Sequence, residues 1–300
     1  MVRRFGRSSI ASTLLISCIF LLPAAVATYG TTAQEQLARF SEKDFQHVEN
    51  LARHGDANAA ALLGVAYEEG VRVQQDLSQA IKWYRQAAMQ GDVKVQHHLA
   101  LIYEQGKGVM PDFAEAARWY QKAASLGYAP SQCNLGNLYE NGRGVKRDPA
   151  QAAKWYEIAA RQGDAQAQSN IGYMYNHGEG VAHDDQQAVY WYRKAAEQGF
   201  AIAQRNLGVM YVLGQGVEAN ETEAMRWFAK AADQGASRAL VNEALLYMQG
   251  AQIQRDYGAA EALLSKAIAA GEQEATPLLK QCRDYLAEKP AGNTTTAQAH

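Results

Sequence analysis

Side chains able to do chemistry are few and scattered in this 300-residue chain. The histidines that come near one another are His97-His98 and the pair His177 and His183. Adjacent residues on a helix do not share a face, and His177 and His183 flank a loop with no cysteine near it, so neither spacing suits a metal ion. The loops GKGV, GRGV, GEGV and GQGV, beginning at Gly106, Gly142, Gly178 and Gly214, contain G-x-G. No third glycine opens a helix after a strand, so phosphate cradling is not implied, and turn geometry explains near-copies of one loop better. Asp184-Asp185 offers paired carboxylates, but Asp184 stands where a helix must be capped. No Ser/His/Asp set stands out. The chain therefore carries no identifiable catalytic, cofactor-binding or metal-binding residue.

The elements behind these residues repeat. Gly55, Gly91, Gly127, Gly163, Gly199, Gly235 and Gly271 are spaced by 36 residues without an insertion. Trp83, Trp119, Trp155, Trp191 and Trp227 form one column that Leu263 closes, and Tyr84, Tyr120, Tyr156, Tyr192 and Phe228 form the next. A third column runs through Tyr67, Tyr103, Tyr139, Tyr175, Tyr211 and Tyr247. Each block reads as helix, loop, helix: in 164–199, Ala167, Ile171, Met174 and Tyr175 give one apolar stripe, and Ala188, Trp191, Tyr192, Ala195 and Ala196 a second. Units of this kind cannot bury their apolar faces alone and must stack.

Local signals agree with that reading. Asp76, Asp112, Asp148, Asp184, Asn220 and Asp256 stand at the start of each second helix. Gln79, Glu115, Gln151, Gln187 and Glu223 follow three residues later, the spacing of a capping box. Pro149 fits the first helical position, and the block-end glycines fit a left-handed helix stop. Alanines at 80, 116, 152, 188, 224 and 260 let helices approach closely, and the aromatic ladder is expected to fill the core beside them rather than to form a stacking platform for ligands.

The segments 131–163 and 167–199, with N-x-G-x-x-Y, G-x-G-V, D, A-x-x-W-Y and A-A-x-x-G elements at fixed spacing, resemble Sel1-like repeats, relatives of the tetratricopeptide repeat. The resemblance covers 56–271 as six blocks: 56–91, 92–127, 128–163, 164–199, 200–235 and 236–271. It implies an all-α, right-handed superhelical solenoid of antiparallel helix pairs. The first block departs at Val71 and Arg72, where the second loop glycine is lost, and the last at Ala251, Gln252, Leu263 and Leu264, as expected of terminal repeats. A linker and capping helix (28–55), a final capping helix (272–289) and a polar tail (290–300) complete the chain.

Arg3, Arg4 and Arg7 precede an apolar run from about Leu14 that ends in Ala25-Val26-Ala27, the pattern of a secretory signal peptide over 1–27. The minority alternative is a lipoprotein attached at Cys18. Cleavage after Ala27 removes three arginines and no acid, so the formal charge falls from -2 to -5. A mildly acidic chain with no basic stripe gives no electrostatic case for nucleic acid or anionic membrane, and no insertion into a membrane is expected after cleavage. A periplasmic or secreted monomer is expected. Cys133 and Cys282 lie four blocks apart, on the order of 70 Å against the ~7 Å limit of a disulfide, and so cannot pair. Cys282 shares the column of Met174 and Met210 and is expected in the core; Cys133 is expected as a partly exposed thiol.

Function in such an array is expected where blocks differ. The third, sixth, tenth, thirteenth and fourteenth positions of the first helices vary, and the resemblance places first helices on a concave surface. Tyr173, Asn176, His177, Ile202, Arg205, Val209, Val212, Leu213, His97 and Asn137 are thus candidates for contact with a protein partner. The fifth block, with Ile202, Val209, Val212 and Leu213, is expected to expose an apolar patch. The resemblance implies a non-enzymatic exported scaffold. Its narrower alternatives are a periplasmic immunity protein against a secreted phospholipase and a penicillin-binding β-lactamase. The latter needs bridged cysteines in each repeat, which this chain does not have.

Overall fold

The computed structural model describes residues 33–288, which divide into two compact units, 33–183 and 184–288. In the N-terminal unit a helical segment at 33–38 precedes α1 (Glu42–Arg53), α2 (Ala57–Glu69), α3 (Leu77–Met89), α4 (Val93–Gln105), α5 (Phe113–Ser125), α6 (Ala129–Asn141), α7 (Pro149–Arg161) and α8 (Ala165–His177). The C-terminal unit holds α9 (Asp185–Glu197), α10 (Ala201–Leu213), α11 (Glu221–Asp233), α12 (Ser237–Gln249), α13 (Tyr257–Ala269), a 3-10 turn (Gln273–Ala275) and α14 (Thr276–Glu288). There is no strand among the described residues. Within each unit every helix packs on the one before and the one after it, the arrangement of an α-solenoid. The leader expected at 1–27 and the tail from 290 lie outside the described residues.

Side-chain acceptors start the second helices. Asp76, Asp112, Asp148, Asp184, Asn220 and Asp256 each accept the amide N–H three residues on, at 2.9–3.0 Å. The expected reciprocal half of the box is formed at Ser41 and Asp44, before α1. Elsewhere the cap residue's own amide is already engaged: Asp76, Asp112, Asp148, Asn220 and Asp256 donate it to the carbonyls of Tyr67, Tyr103, Tyr139, Tyr211 and Tyr247 at 2.8–3.0 Å, and Glu115 turns instead to Arg85, Arg118 and Trp119 Nε1 and Glu223 to Arg226. The block-end glycines have φ between +86° and +103°, which only glycine tolerates cheaply.

The loop between the two helices of a block closes on the preceding block. A Cβ on Gly144 would lie 2.1 Å from the backbone carbonyl carbon of Phe113, so only glycine fits. Arg72 holds the corresponding place in the first block and keeps the left-handed backbone, with φ +69°. Its guanidinium donates to the carbonyls of Leu37 and Ala38 at 3.4 and 3.5 Å, supplying the contact that a preceding repeat would otherwise make.

The aromatic ladder divides into two layers. Tyr84, Tyr120, Tyr156, Tyr192 and Phe228 are the largest fully buried side chains. Trp119 and Trp191 are buried, whereas Trp83, Trp155 and Trp227 are half-buried at the margin, and Lys122 and Lys230 sit 4.1 and 4.3 Å from the Trp119 and Trp227 rings. The second-column ring seats against the glycine of a first helix: a Cβ on Gly64, Gly136 or Gly208 would come within 2.4–2.8 Å of Tyr84, Tyr156 or Phe228. Each buried hydroxyl then needs an acceptor. Tyr84, Tyr120 and Tyr156 donate to Glu68, Glu104 and Glu140, each at 2.6 Å. Phe228 has no hydroxyl, and Val212 stands where the carboxylate would be.

Tyr156→Phe should therefore cost about 1–3 kcal/mol by stranding Glu140, read as a lower urea midpoint at unchanged helicity. Phe228→Tyr should also destabilise, and Val212→Glu introduced with it should restore most of the loss; additive losses would contradict the pairing.

Candidate functional site

The variable positions of the first helices do not share one environment. In the N-terminal unit the sixth position turns inward, with His97 and Cys133 only 3% and 2% exposed. The expectations of His97 on a binding face and of a partly exposed Cys133 thiol are therefore overturned. A first helix is covered by the second helices of its own block and of the preceding one, so a position free to vary is not thereby free to face water. His97 Nδ1 lies 2.9 Å from Ser131 Oγ, and its ring packs 5.5 and 5.2 Å from Tyr120 and Tyr128. Burial, with the adjacent His98, lowers His97 to about 3, which makes it a neutral packing residue. Burial, then the Asp164 charge, pushes the Cys133 thiol well up, away from a reactive thiolate. Cys133 and Cys282 form no disulfide, and Cys282 is fully buried.

The thirteenth position is given to the tyrosine hydroxyls. Glu68 takes in addition His98 Nε2 at 2.7 Å and Lys107 Nζ at 2.6 Å. Burial alone would raise the Glu68 carboxyl, but the bonds from His98, Lys107 and Tyr84 bring it down to about 2. Glu140 faces no such pair of basic donors, and burial raises it despite Tyr156. Of two further rows that keep the spacing of 36, the glutamine row escapes a reading for motifs, whereas the asparagine row is the first residue of the N-x-G-x-x-Y element. Gln96, Gln132, Gln168 and Gln204 are buried and donate to Ala88, Ala124, Ala160 and Ala196, closing the last carbonyls of the preceding helix at 2.8–3.1 Å. Gln162 and Gln234 in turn donate to Gln132 and Gln204. At Gln96 the matching donor position is Leu126, and the Gln96 Oε1 atom has no partner. The second row runs through Asn134, Asn170, Asn206 and Asn242; Asn134 Nδ2 donates to the Tyr120 hydroxyl at 3.0 Å.

The accessible part of the N-terminal unit is narrower than the candidate face. Asn137, Tyr173 and Asn176 are half-buried, and Asn141 and His177 are exposed. Tyr173 and His177 form one stacked surface, with ring centroids 4.0 Å apart and Nδ1 of His177 3.0 Å from the Tyr173 carbonyl. Asn141 Nδ2 reaches the Asn137 carbonyl at 2.9 Å.

In the C-terminal unit the expected apolar patch is in large part core. Val209 is 4% exposed, and Val212 and Leu213 pack with it around Phe228, Ala224 and Leu246; Ile202 is left half-buried. Arg205 is buried as well, against its expected place on the surface, and burial, then the neighbouring Arg238 charge, lowers its guanidinium to about 10. It borders a small cleft of about 30 Å³ with Arg238, Asn242, Glu272, Glu274 and Ala275. Ser237 Oγ donates to Glu272 at 2.8 Å, and Arg238 Nε pairs with it at 3.4 Å.

Among the described residues no group of three or more His, Cys, Asp or Glu is placed to hold a metal ion, and no helix is long and apolar enough to cross a membrane. The model of the Sel1 repeat family matches 57–92, 93–128, 129–164, 165–200, 201–235 and 237–272. The chain is similar to c5321, a protective antigen present in uropathogenic Escherichia coli strains that displays an SLR fold: 37% identity, TM-score 0.74, covering 81% of this chain and 52% of that one. It therefore spans about half the length of the antigen. It is also similar to a Sel1 repeat protein from Oxalobacter formigenes, at 30% identity and TM-score 0.67, covering 82% of this chain and 97% of that one. No curated protein gives a significant match.

Glu243 on α12 is 7% exposed and is raised to about 7 by burial and then the Asp233 charge, with Lys266 opposing. The folded state keeps this proton to about pH 7 while the unfolded chain loses it near the ordinary carboxyl value. The group therefore costs stability progressively as pH rises from about 4.5 to 7. Glu243→Gln should remove that slope and stabilise the fold at pH 8 but not at pH 4.5, measured by urea unfolding across the range.

Proposed function

The chain belongs to the Sel1 repeat family, and from that premise we propose that it is a non-enzymatic scaffold of the bacterial envelope. In this reading it binds a protein through the faces of its first helices and acts as an exported monomer. The observation that carries the proposal is the distribution of polar side chains. Carboxylates, glutamines and buried histidine are engaged inside the stack as caps and ladders, whereas Asn137, Asn141, Tyr173, Asn176 and His177 differ from block to block and reach solvent. A stacked Tyr173–His177 pair offers a rigid amphipathic contact of the kind that concentrates binding energy. Export is supported by the basic residues, apolar run and small-residue site of 1–27. A protective antigen among the relatives agrees with a protein that leaves the cytoplasm.

Affinity purification from envelope extracts with mass spectrometry tests the partner, and the N-terminal mass of the recovered protein tests the leader, with Thr28 expected as first residue. An envelope component or a secreted phospholipase as partner would separate a scaffold role from an immunity role. With the captured partner, Tyr173→Ala and His177→Ala should each weaken binding about tenfold or more, that is by about 1.4 kcal/mol, at unchanged melting temperature. Lys94→Ala should not. Arg205→Glu would place a carboxylate in a buried site and is expected to unfold its unit rather than to report on binding. Equal affinity for all surface variants would remove the first-helix face from consideration.

A further inference from the structure

Charge is segregated between the two sets of helices in the N-terminal unit. The first helices α2, α4, α6 and α8 hold Lys94 against Glu68, Glu69, Glu104 and Glu140. The second helices α3, α5 and α7 hold Lys82, Arg85, Arg118, Lys122, Lys154 and Arg161 against Glu115 and Glu157. The formal charge is thus -3 on one set and +4 on the other, and all six cations of the second set are exposed. The period of 36 aligns cations that are far apart in the chain, so the expectation of no basic stripe does not hold. We propose that this stripe rests on an anionic lipid surface, which leaves the faces of the first helices free.

The carboxylates near the stripe are already engaged. Glu115 takes Arg85 and Arg118 at 2.9 and 3.0 Å, and Glu157 takes Arg161 at 2.6 Å. Asp76, Asp112 and Asp148, at the helix starts, accept backbone amides. Lys82 and Lys154 occupy one position of the repeat, and Lys122 lies a turn further along its helix. None of the three forms an ion pair among the described residues. The Lys122 and Lys82 Nζ atoms lie 4.1 and 5.9 Å from the Trp119 and Trp83 rings, so their stems run along the aromatic margin while the ammonium groups stay at the surface.

Apolar tips stand among these cations and narrow the partner. Met89, Leu126 and Ile158 are 74%, 60% and 43% exposed. Met89 shares an open groove with Lys82, Arg85, Gln86 and Gln90. Leu126 is the counterpart of Gln90 one block on, and Ile158 follows Lys154 by one helical turn. Large apolar side chains left in water mark an interaction surface. Lysines interleaved with them give the composition of a face that lies on anionic lipid, with ammonium groups at the headgroups and apolar tips at the acyl boundary. A nucleic-acid backbone would meet the cations but offer nothing to the apolar tips. The charges recur with the repeat instead of converging on a pocket, which suits a fluid surface more than a single acidic side chain.

The test is co-sedimentation of the purified protein with vesicles of phosphatidylcholine alone or of equal parts phosphatidylcholine and phosphatidylglycerol, in about 50 or about 500 mM salt. Partition onto the phosphatidylglycerol vesicles should exceed that onto phosphatidylcholine about tenfold or more and should fall in high salt. Lys82→Gln, Lys122→Gln and Lys154→Gln combined should lower it about tenfold or more. Met89→Ser with Ile158→Ser should lower it about threefold or more at unchanged charge. Both variants should keep the parent helicity and melting temperature. Comparison among them removes any contribution of residues 1–32, which all share. Equal partition onto the two vesicles, indifference to the lysine variant, or indifference to the apolar variant would overturn the proposal. Tighter lysine-dependent binding to poly-L-glutamate than to the vesicles, at equal concentration of charge, would overturn the lipid in favour of an acidic protein. None of these outcomes depends on the partner of the first helices.

Discussion

A buried phenol cannot be left without an acceptor, and the interior of the N-terminal unit is arranged around that demand. The close approach of Tyr84 and Tyr156 to glycines on the first helices brings ring and backbone together so tightly that water is excluded. The hydroxyls of these rings and of Tyr120 must then find protein partners. Glu68, Glu104 and Glu140 serve that need, and once they do, three positions on the nominally variable face are committed to the core. The glutamine row has the same logic at the helix ends, where the last carbonyls of one helix are closed by the amide of the next. Packing density and hydrogen bonding are thus one constraint here, since the small residues that permit the first create the obligation for the second.

In the C-terminal unit one such set has changed its members. Phe228 removes the hydroxyl, Val212 removes the acceptor, and Asn242 is left with a donor to place. The two substitutions cancel, because an apolar pair replaces a polar one inside a dry interface. The asparagine that the row retains does not share in that cancellation: its Nδ2 stays buried without a hydrogen-bond partner, and Glu243 beside it is a buried carboxyl that burial raises to about 7.

The period, helix pairs, caps and helix stops are legible in the sequence because each depends on residues close in the chain: an Asp and the amide three positions later, or a glycine and its own φ. The environment of the first-helix side chains is not. A helical wheel assumes one covered side and one wet side, whereas a first helix here meets neighbours on several sides at once. His97, Cys133, Arg205 and Val209 vary in type yet are all buried, each being accommodated by local partners such as Ser131 for His97. Tyr173 and His177 do reach the surface, but their mutual stacking depends on rotamers that spacing does not reveal. The capping boxes fail at Glu115 and Glu223 for a related reason, since the amides of Asp112 and Asn220 donate across the loop to the carbonyls of Tyr103 and Tyr211, a pairing that the spacing of the box does not reveal.

Arg72 bears on how an array of this kind can change its length. Interior loops are interchangeable because each glycine rests on the backbone of the block before it, and any block can supply that backbone. The first loop has no such neighbour and accepts about 1–2 kcal/mol of left-handed strain at a side-chain-bearing residue, while the arginine secures residues 37 and 38. The end is therefore specified by chemistry that the middle does not use. Whole 36-residue blocks could be gained or lost between the ends without rewriting either one, whereas a block added ahead of Arg72 would have to displace the segment it holds. Duplication in the interior is the path of least resistance, and the terminus acts as a fixed margin against which the number of repeats is free to drift.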